Sequence, residues 1–167
     1  MGKLPAALGA VVLLAAVLVV PARASAEPVT FPKLHGSGRG GTISLPGTGR
    51  CLDAALEEID RDGGKVQMWT CGLAGDEQQW RYDHLPEIGA GAYIVNQANG
   101  KCLEVAPEEL GVEGGRLQMW DCAGRVEQRW EVIHHQGDLF LTSKATKGVL
   151  GVWSVHEGAP IGVHGKS

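Results

Sequence analysis

Two sets of residues have the types and spacing needed to grip a polar ligand. In the first, Asp53 lies two positions after Cys51, and Gln67 and Trp69 alternate along KVQMW. In the second, Glu104 lies two positions after Cys102, and Gln118 and Trp120 alternate along RLQMW. A carboxylate accepts hydrogen bonds, an amide both donates and accepts, and an indole offers a broad flat apolar face. Together they suit a ligand with hydroxyls on its rim and C–H groups on one face, as a pyranose has. A single such tryptophan would read as a core residue. Repetition of the whole set favours binding.

The repetition is extensive. A shift of 51 residues places Cys51 on Cys102, Leu52 on Leu103, Gln67 on Gln118, Trp69 on Trp120 and Cys71 on Cys122. Trp80 pairs with Trp130 after one deletion. Agreement at so many rare residues marks an internal repeat. A third copy is eroded. YIVNQANGKCLEV (Tyr93 to Val105) aligns with FLTSKATKGVLGV (Phe140 to Val152), and EGGRLQMW (Glu113 to Trp120) with EGAPIGVH (Glu157 to His164). There Val149 replaces the first cysteine, Gly151 the acid, Gly162 the glutamine and His164 the tryptophan.

Short strands must position these side chains. KVQMW and RLQMW alternate apolar and polar residues with period two, the pattern of a half-buried strand. Alternation puts Val66 and Met68 on one face and Gln67 and Trp69 on the other. In QQWRY, Trp80 shares its face with Gln78 and Tyr82 near a strand end, and Trp80 and Trp130 both read as core. Glycine and Asp/Asn clusters (DGG, GAG, ANG, GVEGG) punctuate the gaps as turns. LDAALEEIDRD is rich in Ala, Leu and Glu, but its counterpart LEVAPEEL carries Pro107. Both read as loops holding at most a single turn. Four cysteines pair most simply within copies, Cys51–Cys71 and Cys102–Cys122, each spanning 20 positions. Pairing between copies is formally open, but the identical spacing argues against it. Closing each loop contributes about 3 kcal/mol in the chain-entropy model.

The chain has 167 residues, room for one ordinary domain. Its opening, MGKLPAALGAVVLLAAVLVVPARASAEP, joins a basic start, an apolar run from Leu4 to Val20 and a small-x-small motif at Ala24–Ala26. This reads as a secretory leader over residues 1–26, and two disulfides suit the oxidising compartment beyond it. Losing Lys3 and Arg23 would leave 13 basic residues against 19 acidic ones, a net charge of −6. Such a balance excludes the electrostatic footprint of a nucleic-acid binder or of a protein drawn to anionic membranes.

Several chemical signals fail on context. GSGRGG fits G-x-G-x-x-G but has no apolar strand before it and no helix pattern after it. His134, His135 and Asp138 match no zinc spacing. With every cysteine in a bridge, none is free as a nucleophile. No cofactor is implied, and Asp53 with Glu77 as a glycosidase pair finds no support in the pattern.

These motifs resemble the ricin B-type lectin family. The marks are the C-L-D start, the G-x-x-V-Q-x-W-x-C strand and the terminal Q-x-W, repeated over roughly Gly41 to Gly165. The resemblance implies an all-β fold, a β-trefoil of three repeats with the last incomplete: six barrel strands capped by three hairpins. It implies a non-catalytic carbohydrate-binding protein, not an enzyme, whose partner is a polysaccharide or a cell-surface glycan. By the family pattern the first pocket uses Asp53, Gln67, Trp69 and Glu77, with Gln78 orienting Asp53. The second uses Glu104, Gln118, Trp120, Glu127 and Gln128. Glu77 and Glu127 stand where the family usually has Asn. The third copy keeps no such set, so its pocket is expected to be dead.

The expected layout is a leader (1–26), a flexible proline- and glycine-rich lead-in (27–40) and the trefoil (41–167), with repeats at about 41–85, 90–133 and 138–167. The third repeat stops before its last strand. Three outcomes are open from the sequence: the lead-in around Phe31 covers the gap, another chain covers it, or the edge stays exposed and the fold is marginally stable. The competing function is an extracellular protein–protein interaction or inhibitor module on a trefoil that has lost sugar binding. Oligomeric state has no sequence signal.

Overall fold

The computed structural model describes residues 29–30, 33–35, 40–73, 75–135 and 138–165. The expected leader lies outside the described residues. The lead-in contributes β1 (Val29–Thr30) and β2 (Lys33–His35). The first repeat contributes β3 (Gly40–Leu45), β4 (Arg50–Ala54), β5 (Gly64–Thr70) and β6 (Trp80–His84). The second contributes β7 (Ala92–Asn96), β8 (Cys102–Val105), β9 (Gly115–Trp120) and β10 (Trp130–His135). The third contributes β11 (Asp138–Ser143), β12 (Val149–Val152) and β13 (Ala159–His164). The two Ala- and Glu-rich segments are loops with one 3-10 turn each, Leu56–Glu58 and Pro107–Glu109.

First and fourth strands of the repeats form the barrel wall. β3 pairs with β6, β6 with β7, β7 with β10 and β10 with β11, all antiparallel. Second and third strands form the hairpins β4–β5, β8–β9 and β12–β13. The third strands then pair with each other across the cap: β5 with β9, β9 with β13 and β13 with β5. This threefold arrangement is a β-trefoil.

The missing sixth wall strand comes from the other end of the chain. β2 pairs antiparallel with β3, Lys33 opposite Ser44, Leu34 opposite Ile43 and His35 opposite Thr42, and it lies beside β11. The register is that of the complete repeats. Arg81 stands opposite Val95 and Glu131 opposite Thr142, and both partners align with Ser44. β1 extends the closure by pairing Val29 with Val152 and Thr30 with Gly151 of β12. The lead-in, expected to be flexible, is therefore part of the sheet at these positions, and the trefoil begins before residue 41. An open barrel leaves a row of unpaired N–H and C=O groups on β3, and any nearby extended segment gains by satisfying them. Proline and glycine content does not report that demand.

The core is built in threefold layers. Ile43, Ile94 and Leu141 form one set, Leu52, Leu103 and Leu150 a second, and Val66, Leu117 and Ile161 a third, all buried. Trp80 and Trp130 are fully buried, and each indole Nε1–H donates to a backbone carbonyl at 3.0 Å, Leu52 O and Leu103 O respectively. The polar edge of each ring is thus satisfied while its body fills the barrel. Both disulfides form within copies, Cys51–Cys71 and Cys102–Cys122.

Acidic residues at the hairpin tips tie each repeat to the next. Asp62 of the first meets Lys101 of the second at 2.8 Å. Glu113 of the second meets His164 Nδ1 of the third at 3.0 Å. Glu157 of the third meets Arg50 of the first at 3.1 Å, closing the ring. The hydrogen bond from Lys101 holds Asp62 below the usual carboxylate range, and those from His164 and the Gly165 amide do the same for Glu113. Their acidic partners are solvent-accessible and each bridge is individually weak, but together they link the three hairpins in a ring.

If β1 and β2 close the barrel, the chain beginning at Glu27 keeps both strands and sets the reference stability. The chain trimmed after His35 should lose roughly 2–4 kcal/mol, the worth of a few ladder hydrogen bonds at about 0.5–1.5 kcal/mol each. Denaturant unfolding measures the difference, and equal midpoints for the two truncations would count against the closure.

Candidate functional site

The β4–β5 hairpin sets Asp53 directly opposite Gln67, and Cys51 opposite Trp69. The disulfide holds the far end of that hairpin together. A 3-10 turn, Asp76–Gln78, then folds back over β4. The result is a carboxylate gripped from two sides. Gln67 Nε2 donates to Asp53 Oδ1 at 2.9 Å, and Gln78 Nε2 donates to Oδ2 at 3.2 Å. Gln78 is itself fixed: it donates to Thr70 O at 3.0 Å and accepts from the Gly72 amide at 3.2 Å. Asp53, Gln67 and Gln78 are all buried, whereas Trp69 is half-buried.

These groups open onto a cavity of about 170 Å³ lined by Asp53, Leu56, Glu57, Gln67, Trp69, Leu73 and Glu77. It holds three carboxylates, an amide, an indole and two exposed leucines. No basic side chain lines it. Burial pushes the Asp53 carboxyl up from its ordinary pKa, against the pull of the Gln67 and Gln78 hydrogen bonds, and the neighbouring Glu77 and Glu57 push it further up. Burial favours the neutral acid, and so does a like charge nearby.

The second repeat reproduces the grip. Gln118 Nε2 donates to Glu104 Oε1 at 2.9 Å, and Gln128 Nε2 donates to Oε2 at 2.8 Å. Gln128 also donates to Asp121 O and accepts from the Ala123 amide, both at 2.8 Å. One residue changes the outcome. Arg125 Nη2 donates to Glu104 Oε2 at 2.7 Å, and the guanidinium carbon sits 5.1 Å above the centre of the Trp120 ring. The chain's own cation occupies the space over the indole, and Glu104 is completely buried. Glu127 is half-buried on the same turn. In the first repeat the position of Arg125 is Gly75, and a Cβ there would come within 3.1 Å of Glu77 Oε2.

The third repeat carries neither arrangement. Gly162 takes the place of the glutamine because no side chain fits: a Cβ would fall 2.3 Å from Gly114 O. His164, in the tryptophan position, is buried and turned to Glu113. Trp153 packs edge-on against it with ring centres 4.4 Å apart.

Reasoning from the sequence named the carboxylates, glutamines and tryptophans in both copies, and the structure brings each set together. It missed Arg125, although the alignment of GDEQQW (Gly75–Trp80) with RVEQRW (Arg125–Trp130) displays the exchange. It also missed Glu57, Leu56 and Leu73, which lie outside the repeated phrase.

The fold and the twice-built carboxylate–amide–indole set define a trefoil module of the lectin class. The family described as the ricin-type beta-trefoil lectin domain matches residues 39–163, and the chain belongs to that family. Serine protease 1 of Rarobacter faecitabidus is 33% identical over 115 residues, a match covering 48% of this chain and 21% of that protein. The chain thus spans about a fifth of that relative's length. Among solved structures, the designed threefold-symmetric protein ThreeFoil superposes with a TM-score of 0.63 at 25% identity, covering 72% of this chain and 84% of that one. The ricin B-like lectin of Macrolepiota procera, solved with lactose, gives 0.58 at 16% identity over 78% of this chain and 88% of that one, a likeness of fold alone.

The Asp53 carboxyl should titrate above an ordinary aspartate. Because its folded pKa exceeds its unfolded one, this group favours the folded state below its unfolded pKa. That contribution is lost as pH rises through the folded value. Glu77→Gln removes one of the like charges and should move the Asp53 midpoint downward, as read from carboxyl carbon shifts by NMR. An unchanged midpoint would show that Glu77 does not face Asp53.

Proposed function

We propose that the protein is a secreted, non-catalytic carbohydrate-binding module whose working seat is the pocket of the first repeat. The family is one of lectin domains, and carbohydrate binding is the activity that its fold carries. The observation behind the finer reading is the open cavity beside Trp69, floored by a carboxylate that two glutamines hold in place. Asp53 accepts from sugar hydroxyls, Gln67 offers an amide, and the Trp69 face receives the C–H side of the ring. Gln78 positions Asp53, and Glu77 stands at the wall. The second set, Glu104, Gln118, Trp120, Glu127 and Gln128, is a seat of the same design held shut by Arg125. The leader and two disulfides support export.

No redox or nucleophilic step is built into this site. Its two nearest acids, Asp53 and Glu77, lie beside a glutamine clamp that holds one of them still. A fixed acceptor suits recognition. One shallow seat gives binding of about millimolar strength, and attachment to a repetitive polymer raises it through avidity.

Retention on insoluble polysaccharides, screened across xylan, galactan and chitin-derived matrices, tests the assignment. Trp69→Ala should weaken retention on the matrix that holds wild type at least tenfold, which corresponds to about 1.4 kcal/mol. Trp153→Ala, an exposed tryptophan of the third repeat, should leave it unchanged. Equal retention of wild type and Trp69→Ala, or no retention on any matrix, would refute the seat.

A further inference from the structure

We propose that the first-repeat pocket prefers a cationic sugar, a glycosyl residue carrying a free protonated amine, over neutral or N-acetylated sugars. The proposal rests on the reading of that pocket as a saccharide seat and names the class of sugar it takes.

Two independent observations carry it. The first lies in the second repeat, which shows what this arrangement of side chains holds. There a guanidinium rests above the indole of Trp120 and donates to the clamped Glu104. A cation over an indole face gains from the ring quadrupole, and a charged donor on a carboxylate forms the stronger kind of hydrogen bond. The first repeat has Asp53 for Glu104, the same two glutamines and the same indole, with Gly75 in place of Arg125. Its seat has the polarity of the second without the internal cation.

The second observation is Glu77. Its side chain lines the cavity, the residue is only 7% exposed, and among the described residues its carboxylate has no hydrogen-bond or ion-pair partner. A carboxylate on a cavity wall with no countercharge beside it favours a cationic partner. Asp53 and Glu57 line the same cavity, so three acids converge on it with no cation among them. A neutral hydroxyl can donate to one of these acids but cannot offset their mutual repulsion. An ammonium group can, because it brings positive charge and up to three donors on one atom. The pyranose body then lies along Trp69, and the amine points to the Asp53–Glu77 side. The raised Asp53 pKa is consistent with that charge density.

The direct test compares sugars that differ only at nitrogen. Methyl glycosides of glucosamine and galactosamine are titrated into the exported protein, each beside its N-acetyl counterpart at matched ionic strength, with Trp69 fluorescence and calorimetry as readouts. At least one amine form should bind tenfold or more tightly than its acetylated partner. Glu77→Gln should shrink that preference to threefold or less. In Arg125→Gly the second seat opens, and the calorimetric stoichiometry should rise from one toward two. This arm keeps the idea testable even if Glu77→Gln folds poorly. Acetylated or neutral sugars binding as well as the amines, with Trp69→Ala abolishing both, would overturn the cationic preference and leave the saccharide seat standing. Failure of every glycoside would also overturn it. If Trp69→Ala is then retained on polysaccharide as well as wild type, the seat itself falls. An arginine-containing peptide that quenches Trp69 where the amino sugars do not would overturn the proposal in favour of a protein ligand.

Discussion

The structure turns on a carboxylate held between two glutamine amides. Gln67 and Gln78 grip Asp53, and Gln118 and Gln128 grip Glu104, with all four contacts between 2.8 and 3.2 Å. Each grip joins the hairpin to the turn that precedes the last barrel strand. The next but one residue after the second glutamine is the buried tryptophan, whose indole N–H reaches the carbonyl preceding the same acid. One short segment therefore anchors the barrel core and fixes the polar floor of the pocket. Amides pay little to sit near a carboxylate, and a carboxylate with two donors tolerates burial. The same bonds serve the core and the pocket floor.

Around that constraint the three repeats differ in how the pocket is treated. The first leaves its floor open to solvent. The second seals it with Arg125. The third has exchanged acid for Gly151, glutamine for Gly162 and tryptophan for His164, and the strand carrying Gly162 has closed onto Gly114. That approach excludes any side chain, so the loss of the pocket is a packing decision. The third repeat still supports the barrel through Leu141, Leu150, Ile161 and Val163. It borrows its last strand from the lead-in, and the ring of acidic bridges includes it on equal terms.

Much of this was legible in the sequence. Period-two alternation and the doubled cysteines, glutamines and tryptophans pointed to the strands, both disulfides and the side chains that the structure groups into two polar sets, and the family resemblance pointed to the trefoil. Trp80 and Trp130, expected in the core, are fully buried there. What escaped has a common physical cause. Arg125 closes a pocket through a contact made 21 positions away in sequence, and no propensity reports where a long side chain will fold. Gly162 is forced by the backbone of another repeat. The lead-in looks mobile by composition, and only the unpaired edge of β3 explains why it joins the sheet. Local patterns fixed the elements, while the state of each pocket was set by contacts between elements.

Of two chemically similar seats, the proposed function leaves only the first open to a saccharide. The most direct test follows the five indole N–H signals by NMR while a soluble oligosaccharide, cut from a polymer that retains the protein, is added. The Trp69 signal should shift with saturation, and the Trp80, Trp120, Trp130 and Trp153 signals should hold. A saturable shift at Trp120 equal to that at Trp69, or movement at Trp153 with Trp69 silent, would contradict it.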